Sequence, residues 1–233
     1  MARRRGNGSA PEYGEMGDRL REVRQARGLS LRSLAQRLGV SPSLISQVET
    51  GRAKPSVSTL YAIATELGIS LDDLLFLDAR SNGADLASSG EPPAADPGKA
   101  DPDGALAEIR LPDEPVQRGN ARKTIRLASG VVWERLTTAS IPNVDFLYVT
   151  YEVGGASSTD RDFQRHAGLE WGYILSGRLS VRLGFDEYTL EPGDSITFDS
   201  MIPHRLYNAG DEPVHAIWFN LGRRGPANLH GRS

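Results

Sequence analysis

The chain has 233 residues, a formal net charge of −3, 39% hydrophobic and 24% charged residues, and no cysteine. That length accommodates two small domains, while the lack of cysteine excludes disulfides and thiolate metal sites and leaves only nitrogen and oxygen as metal donors. No apolar run approaches the ~20 residues that span a bilayer, and the Arg3-Arg4-Arg5 cluster has no hydrophobic stretch behind it between Gly6 and Glu15, so the sequence reads as a cytoplasmic protein.

Residues 1–11 read as a disordered basic tail. From 12 to 77 the pattern is all-helical, with five short helices predicted. Leu20 and Val23 mark the first; Leu31, Leu34, Ala35 and Leu38 mark the second at the spacing i, i+3, i+4, i+7; Leu60, Ile63, Ala64 and Leu67 mark the fourth. Ser30 and Ser41 are expected N-caps, Pro42 suits a first helical position, and Ser70 to Asp73 forms a capping box for a last helix through Leu74 and Leu75. Gly28, Gly39, Gly51 and Gly68 stand where helices should stop. Residues 1–77 carry 11 Lys/Arg against 8 Asp/Glu, residues 78–118 carry 4 against 9, and the rest is nearly balanced, so the basic excess lies with the helices.

Residues 78–118 are rich in Pro, Gly, Ala, Ser and Asp and lack periodicity, so they read as an extended linker with a short ordered piece near Ile109 to Val116. From 119 to 224 the chain becomes strand-like, in runs such as Phe146 to Val153, Leu179 to Leu183, Ser195 to Phe198 and Ala216 to Phe219, parted by glycine-bearing turns. Short strands at this spacing predict an all-β barrel or jelly roll. Residues 225–233 read as a polar tail.

On a helix, Ser43, Ser46 and Gln47 fall within an arc of about 100°, with Leu44, Ile45 and Val48 opposite. One side packs and the other stays polar. Gln is a natural bidentate partner for adenine in the major groove, and Ser reaches base edges or phosphates. Arg52 and Lys54, past the helix end, suit phosphate contacts, as does Ser41 at the helix start beside Pro42. The run through Leu34-Ala35, Leu38 to Ser43, Ile45-Ser46, Val48-Glu49, Gly51 and Pro55 closely resembles the helix-turn-helix of the phage-repressor-like XRE family of bacterial regulators, over Gly17 to Phe76. The resemblance implies double-stranded operator DNA as partner, and an Arg24–Glu49 ion pair that makes Glu49 a scaffold residue.

The four histidines are His166, His204, His215 and His230. The segment from His166 through Glu170 to Gly177, followed by Pro192 to Asp194 and by Pro203 to Asn208, resembles the two motifs of the cupin barrel. In that family two histidines, a glutamate and a later histidine hold one divalent metal. Here His166 matches the second histidine, Glu170 the glutamate and His204 the last, while Gln164 replaces the first. Two imidazoles and a carboxylate still make a facial triad suited to Fe, Mn, Ni or Zn, to which Gln164 could add a carbonyl oxygen. The alternative is a metal-free cavity in which these groups grip an organic ligand. His215 and His230 read as structural or incidental. Trp171, Tyr173, Phe198, Tyr207 and Trp218 read as barrel core, with room for one or two to face the cavity; Arg165, Arg178, Arg182 and Arg205 read as surface residues by default, the alternative being cavity arginines that would favour an anionic ligand.

Two functions follow. Together the halves resemble bacterial XRE-cupin regulators, which implies a homodimer whose cupin binds a small effector and shifts the placement of the DNA-binding heads. The alternative is a non-haem iron cupin enzyme: hydroxypropylphosphonic acid epoxidases share the domain order and a His-Ala-Gly-x-Glu pattern that His166 to Glu170 matches. Trp133 stands where such a barrel would have an early tyrosine, and the helical domain offers no evident phosphonate-binding lysine. Those departures, with the polar face of Ser43, Ser46 and Gln47, favour the regulator.

Overall fold

The structure is a computed structural model that describes residues 12–69, 71, 74, 113–141, 144–159 and 162–222. The tails, most of the expected linker and most of the fifth predicted helix lie outside these residues; Leu71 and Leu74 are helical and buried. No helix among the described residues is long and apolar enough to cross a membrane.

Four helices come first: α1 (Glu12–Ala26), α2 (Leu31–Arg37), α3 (Pro42–Glu49) and α4 (Val57–Leu67). Their ends are written locally. Ser30, Ser41 and Ser56 each accept a backbone N–H of the following turn, from Ser33, Leu44 and Thr59 at 3.0–3.2 Å. Gly28, Gly39, Gly51 and Gly68 all take positive φ at the expected helix stops, a conformation that costs a side-chain-bearing residue about 1–2 kcal/mol. Leu20, Val23, Leu34, Ile45, Val48, Leu60 and Ile63 form the core between them, each contributing about 1.5–3 kcal/mol of transfer energy.

Gly17 lets α1 meet α3 closely, since a Cβ there would lie 2.5 Å from the Glu49 carbonyl oxygen. Beside that contact the Arg24 guanidinium donates to both Glu49 oxygens, at 2.6 and 3.0 Å, and to the Leu29 carbonyl at 2.7 Å. The ion pair implied by the family resemblance is therefore bidentate and buried, which fixes the angle of α3 on α1.

The second half is antiparallel throughout. It comprises β1 (Thr124–Arg126), β2 (Val131–Arg135), β3 (Val144–Tyr151), β4 (Leu169–Ser176), β5 (Leu179–Leu183), β6 (Asp186–Leu190), β7 (Ser195–Asp199), β8 (His204–Tyr207) and β9 (Val214–Leu221). A six-stranded sheet runs β1-β2-β3-β9-β4-β7 and a three-stranded one β6-β5-β8. Strict alternation on β3 and β9 sends Leu147, Val149, Tyr151, Val214, Ala216 and Trp218 inward. Gly172 faces Trp218, and a Cβ there would meet the indole at 2.1 Å, so glycine is what admits the ring.

Glu114, in the piece near Ile109 to Val116 expected to be ordered, accepts the Thr138 hydroxyl through its backbone carbonyl at 2.5 Å. Two sequence expectations change. Trp171 and Tyr173 are not core but lie on the outer face of β4, the first half-buried and the second about half exposed, because the period of two there turns them away from Gly172 and Ile174. Arg205 is not a surface residue: it is buried, donating to the Ser158 carbonyl at 3.2 Å and lying over the Tyr207 ring.

The start of α4 rests on the rim of the β-domain. Ser58 N–H donates to the Ser157 carbonyl and Ala128 N–H to the Pro55 carbonyl, both at 3.1 Å. Tyr61, one turn further, meets Trp133 edge-on at 5.9 Å.

Candidate functional site

Two places carry chemistry. The first is the outer side of α3. Ser41, Pro42, Ser43 and Gln47 are exposed and Ser46 is half-buried, while Ile45, Val48 and Glu49 are buried beneath. Gln47 Nε2 lies 3.5 Å from Ser43 Oγ, a weak contact that leaves the amide able to turn outward. Ser41 Oγ caps the helix by accepting the Leu44 N–H. The Gln47 carbonyl accepts the N–H groups of Arg52 and Ala53 at 2.8 and 3.1 Å, which folds the following turn back and sets exposed Arg52 and Lys54 just past the helix end.

The second place lies inside the β-domain. Glu170 on β4, His204 on β8 and His166 in the loop before β4 are all buried, and their ligand-type atoms lie within 4.8 Å of one another. Glu170 Oε1 is 2.9 Å from His166 Nε2 and 3.3 Å from His204 Nε2. Neither His166 Nε2 nor Glu170 Oε1 has a hydrogen-bond partner outside this cluster.

The other atom of each group is occupied. His204 Nδ1 lies 2.9 Å from the Ile202 carbonyl and His166 Nδ1 3.3 Å from the Ala167 carbonyl. A carbonyl can only accept, so Nδ1 is the donor in each contact, which turns Nε2 of both rings toward Glu170. Glu170 Oε2 accepts the Trp218 indole N–H at 2.6 Å, leaving Oε1 for the centre. Burial raises the Glu170 carboxyl, but contact with His166, the charges of the two imidazoles and the Trp218 N–H outweigh it and lower the carboxyl to about 2. Donors about 2.0–2.2 Å from one ion stand about 3 Å apart, so this donor set fits a divalent metal.

Gln164, the residue in place of the first family histidine, is buried and pairs its backbone with His204 in both directions, at 2.8 and 3.0 Å. Its side-chain Nε2 has no hydrogen-bond partner, and with Glu170 the residue lines a small cavity beside the cluster. Tyr151, Trp133 and Trp218 form further walls. Burial, with Tyr61 and Glu170 nearby, pushes the Tyr151 hydroxyl well above its ordinary range, so it stays protonated. His215 lies elsewhere, with Nδ1 3.1 Å from Thr150 Oγ1.

Sequence reasoning missed Tyr61 and Tyr151 as cavity residues, and named Trp133 only as the residue in place of an early barrel tyrosine. Tyr61 did leave a signal: it is the one aromatic on helix α4. It is stacked on His166, ring centroids 4.4 Å apart and planes 11° from parallel, and Asn220 Nδ2 lies 3.5 Å from its hydroxyl.

Comparison with known proteins agrees with this two-part architecture. Residues 20–74 match the helix-turn-helix family model and residues 147–220 the cupin domain model. The chain is 28% identical over 194 residues to the HTH-type transcriptional regulator PuuR of Escherichia coli, covering 82% of this chain and 86% of that one. It is 26% identical over 198 residues to the HTH-type transcriptional regulator SutR of the same organism, covering 84% and 88%. The crystal structure of an HTH_3 family transcriptional regulator from Vibrio cholerae shares the fold at TM-score 0.57 and 20% identity, covering 91% of this chain and 97% of that one.

Proposed function

We propose, from the premise that the chain is an XRE-type helix-turn-helix transcriptional regulator with a C-terminal cupin domain, that it acts as a homodimer reading operator DNA under the control of a small effector bound in the cupin. The observation that carries the reading is the division of α3: its inner side is fully buried while Ser43 and Gln47 stand exposed beside Arg52 and Lys54. In this reading Ser43, Ser46 and Gln47 meet base edges, and Ser41, Arg52 and Lys54 meet phosphate. We take the working domains as 12–77 and 119–224, joined by 78–118.

The cupin's outer face supports dimerisation. Phe146, Leu169, Tyr173 and Leu221 are exposed there, with Trp171 and Phe219 half-buried among them, an apolar stretch across β3, β9 and β4 that a second copy would cover. Two heads held by such an interface would read half-sites about one DNA turn apart.

Beside the cavity, His166, Glu170 and His204 would hold one divalent ion, and Gln164 would turn its amide toward whatever binds beside it. A bound ion would offer open coordination positions to an oxygen or nitrogen group of the effector. Buried donors with no hydrogen-bond partner outside the cluster support this reading, since such groups are costly unless something completes them. The same triad would also suit non-haem iron oxidation, so the test must separate the two.

The test is to purify the protein, measure bound metal, titrate it onto the DNA upstream of its own gene at several salt concentrations, and assay oxygen consumption with phosphonates. A regulator gives binding that weakens steeply with salt, because phosphate contacts release counterions. Phosphonate-dependent oxygen uptake lost in His166→Ala, with no DNA binding, would overturn the reading.

A further inference from the structure

The cavity of the cupin is roofed by the DNA-binding domain. Val57 and Tyr61 of α4 close the space whose floor and walls are Glu170, Gln164 and the inward aromatic residues of the sheets. The space clear of the walls holds about one water molecule. That is far below the ~300 Å³ of the smallest ordinary small-molecule sites, so an organic molecule does not fit beneath Tyr61 as the walls stand.

Something must therefore move to admit an effector, and the walls differ in how firmly they are held. Trp133 and Trp218 sit on β2 and β9, which are paired on both sides by strand ladders. Tyr61 belongs to no ladder. Near it, α4 meets the rim through the Ser58–Ser157 and Pro55–Ala128 backbone hydrogen bonds. Its ring stacks on His166, the histidine whose Nε2 faces Glu170, and so covers the spot where an effector beside the ion would lie.

We propose that Tyr61 is the gate of the effector site, so that an organic ligand in the cavity displaces it and releases α4, and with it the DNA-binding head, from the cupin rim. Cavity occupancy and head docking are then competing states of one equilibrium, and the ligand shifts it by its differential affinity. The inference rests on the cavity being the effector site. It adds a residue of the DNA-binding domain to that site and gives the coupling a direction.

Because the chain has no cysteine, spin labels at Gln36→Cys and Thr189→Cys, both exposed and one in each domain, report docking without competing labels. In metal-free protein the distance should be single and narrow. Tyr61→Ala should broaden and lengthen it, and Tyr61→Phe, which keeps the stacked ring, should not. The second arm uses Co²⁺, whose visible spectrum reports the ion, followed by imidazole, an organic ligand for its open positions.

Imidazole binding should broaden the distance in the parent chain. Tyr61→Ala should bind imidazole at least tenfold more tightly, because no ring has to be moved. A narrow distance retained in metal-free Tyr61→Ala overturns the proposal. So does imidazole that binds without changing the distance and no more tightly to the variant. If Co²⁺ gives no spectrum of a bound ion, the metal reading fails, and the metal-free arm still decides whether Tyr61 holds the head.

Discussion

The helical head and the cupin both bury charged residues, yet they use them in opposite ways. In the head, Arg24 and Glu49 satisfy one another with two hydrogen bonds, and the polar side chains proposed to work, Ser43 and Gln47, stay in water on the surface. In the cupin the polar side chains proposed to work are the buried ones: Glu170, His166 and Gln164 each keep an atom inside with no hydrogen-bond partner outside the site. A surface that reads a large polyanion pays no desolvation until the partner arrives. A cavity that reads a small ligand must hold its donors dry beforehand, and their incompleteness is the trace of what they bind.

The sharpest way to break this contrast is Arg24→Ala. It leaves the buried Glu49 carboxylate with only the partly exposed Arg21, 3.5 Å away, and loss of one partner of a buried pair costs up to about 3–5 kcal/mol. The helical domain should melt far earlier in calorimetry while the cupin transition stays in place. Glu170→Gln should show chiefly in the metal: the amide oxygen can still accept the Trp218 N–H, so the cupin melts only slightly earlier, while Co²⁺ affinity by titration calorimetry falls by at least about 100-fold. An equal loss of stability in both variants would erase the distinction. Trp218→Phe keeps the ring against Gly172 but removes the N–H that occupies Glu170 Oε2. Loss of an outer partner of this kind lowers metal affinity by about 10–100-fold.

The same contrast explains what the sequence could tell. Helix ends were legible because Ser30, Ser41 and the four glycines act within one turn of themselves, and Arg24–Glu49 came with the motif. The three donors His166, Glu170 and His204 were legible because their residue types and spacing match the cupin pattern. Their surroundings were not. Tyr61, Trp133, Tyr151 and Trp218 come from four separate elements and meet only in the fold. Alternation on β4 assigns Tyr173 to one of two faces without saying which face is inside, and only the close fit of Trp218 over Gly172 marks the opposite face as inner. Arg205 was misread because long cations are usually exposed, and here a backbone carbonyl and an aromatic face compensate its burial.

The central claim is that the exposed side of α3 reads bases. Its most direct test begins by selecting bound sequences from a random duplex pool with the full chain. The affinity of the parent protein and of Gln47→Ala is then compared on the selected duplex and on a scrambled one. The account predicts that Gln47→Ala loses about 1–3 kcal/mol on the selected duplex, with scrambled-DNA affinity and thermal melting unchanged. An unchanged ratio of selected to scrambled affinity in the variant would contradict it.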